Sequence, residues 1–230
     1  MALPLPLALP MEVAPYRLSG NVYGTLLNHR TALAALGSAV DAPPYKGAPR
    51  SPVLYIKPRN TLAADGAAVL VPAGVPELEI GACLGLVIGH SATRVAQADA
   101  LGYLAGYVIV NDVSVPHPQY YRPSIRYKAR DGFCPLGPRV VARAAVADPD
   151  ALSVRVYVDG ELKHSASTAQ LVRGAARLLA DVTEFMTLAP GDVLAVGVAA
   201  PAPRIRAGQQ ARIEIDGLGG LENPFVAGAA

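Results

Sequence analysis

The sequence predicts an α+β fold of mixed, strand-rich packed sheets, with a few short helices and one longer helix. Three observations carry this. Short apolar runs rich in Val, Ile and Leu recur along the chain. They cluster instead of alternating with helical stretches, which argues against doubly wound and barrel α/β layouts. Only one segment keeps helical spacing over several turns. The count is roughly eight to ten strands and three helices, and no internal repeat is visible.

Residues 1–18 form an extended arm punctuated by prolines, and 19–230 read as one domain. Residues 20–27 (GNVYGTLL) are a short strand. Asn28 is the expected cap of a short helix that stops at Gly37. The run 42–50 (APPYKGAPR) is a loop, because its prolines and glycine deny it a ladder. Strands follow at 52–57 and 67–71. The long run 77–89 (ELEIGACLGLVIG) reads as a strand that bends, since its β-branched residues are broken by spaced glycines. A short helix at 95–103 precedes a strand at 107–112, and another strand covers 138–143. Residues 152–158 (LSVRVYV) alternate, and Asp159-Gly160 is a two-residue hairpin signal returning through 161–165. The longer helix spans 168–188, capped by Thr168. Its stripe is Leu171, Ala175, Leu178, Leu179, Val182 and Phe185. Pro190-Gly191-Asp192 turns the chain into strands at 193–198 and 211–215.

The chain is 52% apolar over 230 residues, ample for one large core. Trp is absent and Phe is rare, so Val, Ala and Leu supply the buried area. A net charge of +2 with scattered Lys and Arg excludes a nucleic-acid binder. No apolar stretch approaches the roughly 18 residues needed to span a bilayer. Pro4, Pro6 and Pro10 break the helix a signal peptide would need. Cys83 and Cys134 lie far apart without a CxxC, so both read as reduced thiols in a cytoplasmic protein.

Charge concentrates in residues 107–138 (YVIVNDVSVPHPQYYRPSIRYKARDGFCPLGP). An apolar strand ends in Asn111-Asp112, and a loop rich in Pro, Tyr and Arg leads to Lys128-Ala129-Arg130-Asp131-Gly132-Phe133. A strand end feeding a long polar loop is where a scaffold fixes chemistry. Asp112 and Lys128 are therefore the centre of any active site.

Seven segments, in order, resemble the fumarylacetoacetate hydrolase family. They are YIKPRNT (55–61), LVIG (86–89), AGYVIVNDVS (105–114), the stretch from Lys128 to Pro138, DGELKHSAST (159–168), LAPGDVLAVG (188–197) and DGLGGLENP (216–224). The resemblance implies that family's β-sandwich roll. LNHRTAL, APPYKGAP and LENP sharpen it towards the N-terminal half of the isomerase/decarboxylase branch that works in homoprotocatechuate (4-hydroxyphenylacetate) breakdown. The implied substrates are 5-oxopent-3-ene-1,2,5-tricarboxylate and 2-hydroxyhepta-2,4-diene-1,7-dioate, both handled through an enolate beside a carboxylate. The implied assembly is a homodimer, or a heterodimer with a paralogous C-terminal-type subunit.

The sequence departs from the pattern that this likeness implies. Members hold a divalent cation with a Glu-x-Glu and the Asp of NDVS. Asp112 matches the Asp, but the Glu-x-Glu positions fall on Gly81 and Cys83. Glu77 and Glu79 stand four residues too early, about 13 Å of strand. Mg²⁺ prefers six oxygen ligands, so one carboxylate makes a poor site. A Mg²⁺ or other divalent cation is not the expected occupant, and Glu77 and Glu79 read as a solvent-facing strand end. The water-activating His–Glu pair of the hydrolytic members is also absent, with Ala35 at the Glu position.

Enolate chemistry needs a cation near the developing oxyanion and a base. Lys128 matches the family's active-site lysine. Asp112 is read as metal ligand, partner of Lys128, or base, against the plainer reading of a loop cap. His29 is a candidate base, against the reading of a structural group near a helix cap. Gln119 matches the family's glutamine. Arg59, Arg130, Arg122 and Arg126 are the cations nearest to hand for a di- or tricarboxylate. Asp131 is read as orienting Lys128 or Arg130. His164 and Thr168 are candidates for substrate contact. Two other functions stay open: an assembly partner for a metal-retaining paralogue, and an acylpyruvate hydrolase.

Overall fold

The computed structural model describes residues 20–118 and 124–228. Its strands are β1 (Val22–Leu26), β2 (Val53–Lys57), β3 (Leu62–Ala63), β4 (Val69–Val71), β5 (Leu78–Glu79), β6 (Ala82–Ile88), β7 (Leu104–Asn111), β8 (Cys134–Ala142), β9 (Ser153–Val158), β10 (Glu161–Ser167), β11 (Val193–Ala195), β12 (Arg204–Ile205), β13 (Gln210–Ile215) and β14 (Gly219–Ala227). The helices are α1 (Arg30–Ala34), α2 (Ile125–Lys128) and α3 (Ala175–Thr183). The α+β, strand-rich architecture is the expected one. Among the described residues the strands outnumber the expectation because several are only two or three residues long. The expected N-terminal arm, Gln119 and Arg122 lie outside the described residues.

A seven-stranded mixed sheet runs β2-β1-β11-β6-β7-β8-β3. Its central strands are apolar on both faces, and all seven residues of β6 are buried. Period-2 alternation divides them between two cores. Leu84, Leu86, Tyr107 and Ile109 face the larger core, whereas Cys83, Val87, Val108 and Val110 face the smaller. A five-stranded sheet, β10-β9-β13-β14-β4, closes the larger core from the other side. Here β9 and β13 alternate buried with more exposed positions, as expected when one face is solvated. The Asp159-Gly160 hairpin forms as expected, with φ of 51° and 82°, the doubly positive pattern of a type I′ turn.

Several elements differ from the sequence reading. The run 77–89 splits into β5 and β6 around Ile80-Gly81, and β5 leaves to pair with β12. Asn28 does not cap α1. Its amide donates to the Arg173 and Val196 carbonyls at 2.9 and 2.8 Å and accepts from Arg173 N–H at 3.0 Å. A side chain with three complementary backbone partners is better used as a tie between segments, and His29 takes the cap. Thr168 caps no long helix either. Its hydroxyl and N–H bind Leu152, and this ties the segment to β9, so only a 3₁₀ turn forms at Thr168–Gln170. α3 starts seven residues later, after Gly174, where Asp150 accepts the Ala175 N–H at 2.8 Å. Phe185 falls beyond the end of α3 and is 63% exposed, leaving the stripe that buries Leu178, Leu179 and Val182. The helix expected at 95–103 is reduced to a 3₁₀ turn at Ala100–Tyr103.

Candidate active site

Asp112 follows β7 directly. Its position is set by the backbone around it: its N–H donates to Gly81 O at 2.8 Å, while Asn111 Oδ1 accepts from Gly81 N–H at 3.1 Å. A Cβ at Gly81 would stand 2.2 Å from the Asp112 carbonyl oxygen, so only glycine allows this approach. Glu79 lies opposite Ser114 in the same ladder and therefore faces the same side as Gly81 and Asp112.

Three side chains converge on the Asp112 carboxylate. Lys128, at the end of α2, places Nζ 2.6 Å from Oδ2. Lys57, at the end of β2, places Nζ 2.7 Å from Oδ1. The Tyr55 hydroxyl donates to Oδ2. Tyr55 and Lys57 are two apart on β2 and so share a face. The Tyr55 ring lies across Gly24 of β1, where a Cβ would stand 2.0 Å from it. Lys128 Nζ also sits 4.8 Å from the centre of that ring, within reach of a cation–π contact. Lys57 donates to the carbonyls of Val113, Lys128 and Phe133 at 2.9, 2.8 and 2.8 Å, stapling both ends of the loop that carries Lys128.

The electrostatics follow from this packing. Burial alone would raise the Asp112 pKa, but Lys128 and then Lys57 outweigh it and hold the carboxyl well below the usual range. Burial, reinforced by Asp112, pushes the Tyr55 hydroxyl well above its ordinary value. Asp112 is thus a permanent anion and a poor base, and of its three expected roles the structure shows the pairing with Lys128.

Tyr55, Asp112 and Lys128 floor a cleft of about 270 Å³, with Lys57 buried beneath them, walled by Thr25, Leu27, Glu79, Ser114, Ala199, Pro201 and Arg204. The Thr25 hydroxyl is buried and without a partner. Glu79 and Asp112 are the two carboxylates of the lining. Burial raises the Glu79 pKa, against the opposing pull of Arg204, whose Nη2 is 3.1 Å from it. Glu79 is therefore a cleft residue and not the solvent-facing strand end expected. Glu77 stays outside the lining, paired with Arg204 and Arg206 at 3.8 and 3.7 Å. A larger open concavity, about 480 Å³, lies on the outer face of the five-stranded sheet. Its one cation, Arg212, is already matched by Glu214 and Glu222 at 2.6 and 3.1 Å, so no positive charge in the lining is left for an anionic ligand.

Other expected site residues fall elsewhere. His29 and Thr168 line a separate, small cavity beside Cys83. The His29 ring accepts from Thr31 N–H through Nδ1 at 3.3 Å, and Nε2 lies 3.3 Å from Ser167 O, so both nitrogens are engaged. Burial lowers its pKa. That is the environment of a structural histidine, not of a base in the Asp112 cleft. His164, half-buried in β10, lines neither the Asp112 cleft nor the His29 cavity. Arg59 is exposed and Arg130 donates to Arg126 O at 3.1 Å; neither lines the cleft. Asp131 accepts from Asn60 at 2.7 Å instead of orienting Lys128. The sequence reading missed Tyr55, Lys57, Thr25 and Arg204. A signal for two of them was present: YIKPRNT places Tyr55 and Lys57 on one strand face.

The family model for the fumarylacetoacetate (FAA) hydrolase C-terminal domain matches residues 21–226. The chain belongs to the fumarylacetoacetate hydrolase family. It is 40% identical over 209 residues to the 4-hydroxyphenylacetate degradation bifunctional isomerase/decarboxylase of Escherichia coli, covering 91% of this chain and 48% of that protein. The chain thus spans about half the length of this relative and of its counterpart in Salmonella dublin. The 5-carboxymethyl-2-hydroxymuconate delta-isomerase of Mycobacterium smegmatis superposes with a TM-score of 0.79 at 29% identity, over 93% of this chain and 81% of that one. The maleylpyruvate hydrolase of Sphingobium sp. SYK-6, in complex with manganese(II) ion and pyruvate, superposes with a TM-score of 0.75 at 26% identity, over 91% and 71%.

The residues of this chain do not fit such a cation. Lys128 donates to Asp112 Oδ2, the Lys57 ammonium stands 2.7 Å from Oδ1 without a hydrogen bond to it, Glu79 pairs with Arg204, and Gly81 has no side chain. Among the described residues no three acidic, Cys or His side chains could hold a metal ion. Cys83 and Cys134 are buried free thiols, and burial pushes the latter up to about 12. No helix among the described residues is long and apolar enough to cross a membrane.

Proposed function

We propose that this cleft binds the carboxylate end of a 2-oxo or 2-hydroxy-dienoic diacid and stabilises its enolate, making the chain an isomerase, a decarboxylase or both in aromatic-acid breakdown. One observation carries the reading: at and just beneath the floor, two ammonium groups stand against one carboxylate, leaving a positive charge in excess. At the rim, Arg204 and Arg206 are balanced by Glu77 and Glu79. An anionic ligand therefore gains most at Lys128, with the Thr25 hydroxyl free to donate to it.

In tautomerisation of the 2-hydroxydienoate the hydroxyl proton leaves, the dienolate carries its charge on the 2-oxygen, and a proton is added at carbon as the 2-oxo group forms. In decarboxylation the C–C bond breaks instead and CO₂ departs. Both put negative charge where the Lys128 ammonium can meet it. Asp112 is clamped, so Glu79 is the cleft carboxylate left to carry the proton. The name of a Mycobacterium marinum neighbour, 2-hydroxyhepta-2,4-diene-1,7-dioate isomerase, supports that compound as substrate, and the isomerase/decarboxylase relatives suit 5-oxopent-3-ene-1,2,5-tricarboxylate as the decarboxylated one. Their double length supports pairing with a C-terminal-type paralogue, or a homodimer. A cytoplasmic setting suits the two free thiols.

The test follows loss of dienol absorbance from 2-hydroxyhepta-2,4-diene-1,7-dioate with the purified chain. Conversion is expected, with Lys128→Met lowering kcat by about 10²–10³-fold. Silence until a C-terminal-type paralogue is added replaces this reading with the assembly-partner one.

A further inference from the structure

Lys57 is chemically unlike Lys128, although both touch Asp112. Its side chain is 1% exposed, against 10% for Lys128, so it cannot reach a ligand. Its Nζ meets four oxygens: three carbonyls and Asp112 Oδ1. Donating to three carbonyls takes three N–H bonds, which only the ammonium form has. The geometry therefore holds Lys57 charged despite its burial. Lys128 donates to Asp112 Oδ2, while Lys57, its three N–H bonds spent on carbonyls, faces Oδ1 at 2.7 Å through charge alone.

We propose that Lys57 is a positioning residue: it neutralises Asp112, so that Lys128 presents an uncancelled charge and the cleft binds its anionic ligand without metal. The proposal rests on the anion-binding reading above. It goes further than that reading by assigning the surplus to Lys57, which never meets the ligand, and by dispensing with a cation. Without Lys57, Asp112 and Lys128 would cancel each other and the cleft floor would be neutral. The surplus is thus created by a lysine that never touches the substrate.

The test uses oxalate, a small planar dianion, with calorimetry on the whole chain, and Mn²⁺ uptake read by electron paramagnetic resonance. In chelator, oxalate is expected to bind, and adding Mn²⁺ should change its affinity by less than about twofold, with the free Mn²⁺ signal undiminished. Lys57→Met should weaken oxalate by about tenfold or more, and the double variant Lys57→Met/Asp112→Asn should recover most of that loss, because removing the anion restores the surplus. A purely structural lysine gives no such rescue.

Oxalate binding that requires Mn²⁺, stoichiometric Mn²⁺ uptake, an unaffected Lys57→Met, or a double variant without recovery each overturns the proposal while leaving the anion-site reading intact. Oxalate that binds under neither condition overturns the anion-site reading itself, and the proposal with it. If Lys57→Met does not fold, the chelator and Mn²⁺ comparison on the unaltered chain decides alone.

Discussion

At the scale of single residues, the site is a set of short contacts that depend on what is missing as much as on what is present. Gly24 has no Cβ, so the Tyr55 ring can cross β1 and reach Asp112. Gly24→Ala is expected to cost about 1–3 kcal/mol by forced displacement of that ring. Thermal or denaturant unfolding measures the cost, and the activity of the folded fraction should fall with it because Tyr55 leaves Asp112. Tyr55→Phe removes one donor from a buried carboxylate that keeps two ammonium partners. Its expected cost is about 1 kcal/mol in the same measurement. Glu79→Gln keeps the shape of the cleft and removes its mobile proton carrier. Turnover is expected to drop by about 10²–10⁴-fold, while oxalate binds at least as tightly as to the unaltered chain because Arg204 loses a counter-charge.

At the scale of elements, the chain uses polar side chains to fasten segments that sheets alone would leave apart. Asn28 joins the start of α1 to the end of β11 and to the approach to α3 through three backbone bonds. Asn28→Ala leaves buried backbone groups unpaired and should cost about 2–3 kcal/mol, read as a lower denaturant midpoint with little change in m-value. This dual use of polar residues also sets the limit of what the sequence reveals. Alternating strands such as β9 and the Asp159-Gly160 hairpin were legible because their signal is local. Asn28 and Thr168 each had the residue type of a helix cap, and both were captured by distant backbone partners that no local pattern encodes. Asp112 and Lys128 were legible as a pair because one loop carries both. Lys57 and Tyr55 come from a strand far away in sequence, so their approach depends on sheet order β2-β1-β11-β6-β7. Glu79 was misplaced for a related reason: counting along a straight strand puts it beyond reach, whereas the break at Ile80-Gly81 keeps it beside Ser114.

At the scale of the whole molecule, a buried ionic cluster sits where two strand ends and a long loop meet, so its charge state bears on global stability. The Asp112 pKa is lower in the folded chain than in the unfolded one. Its contribution is therefore fully present above the ordinary carboxylate value of about 3.9 and is lost as pH falls below it towards the depressed folded value. Acid unfolding followed by circular dichroism should show stability declining below about pH 4, and Asp112→Asn should remove that part of the slope while lowering stability at neutral pH. The same cluster organises function, because it fixes a surplus positive charge at the floor of a cleft whose rim is neutral. Deuterium exchange at C3 of a 2-oxo dicarboxylate such as 2-oxoadipate, followed by proton NMR with the purified chain in D₂O, tests that claim most directly. Exchange by the unaltered chain that disappears in Lys128→Met is the predicted result. No exchange by the unaltered chain, or exchange that persists unchanged in Lys128→Met, would contradict it.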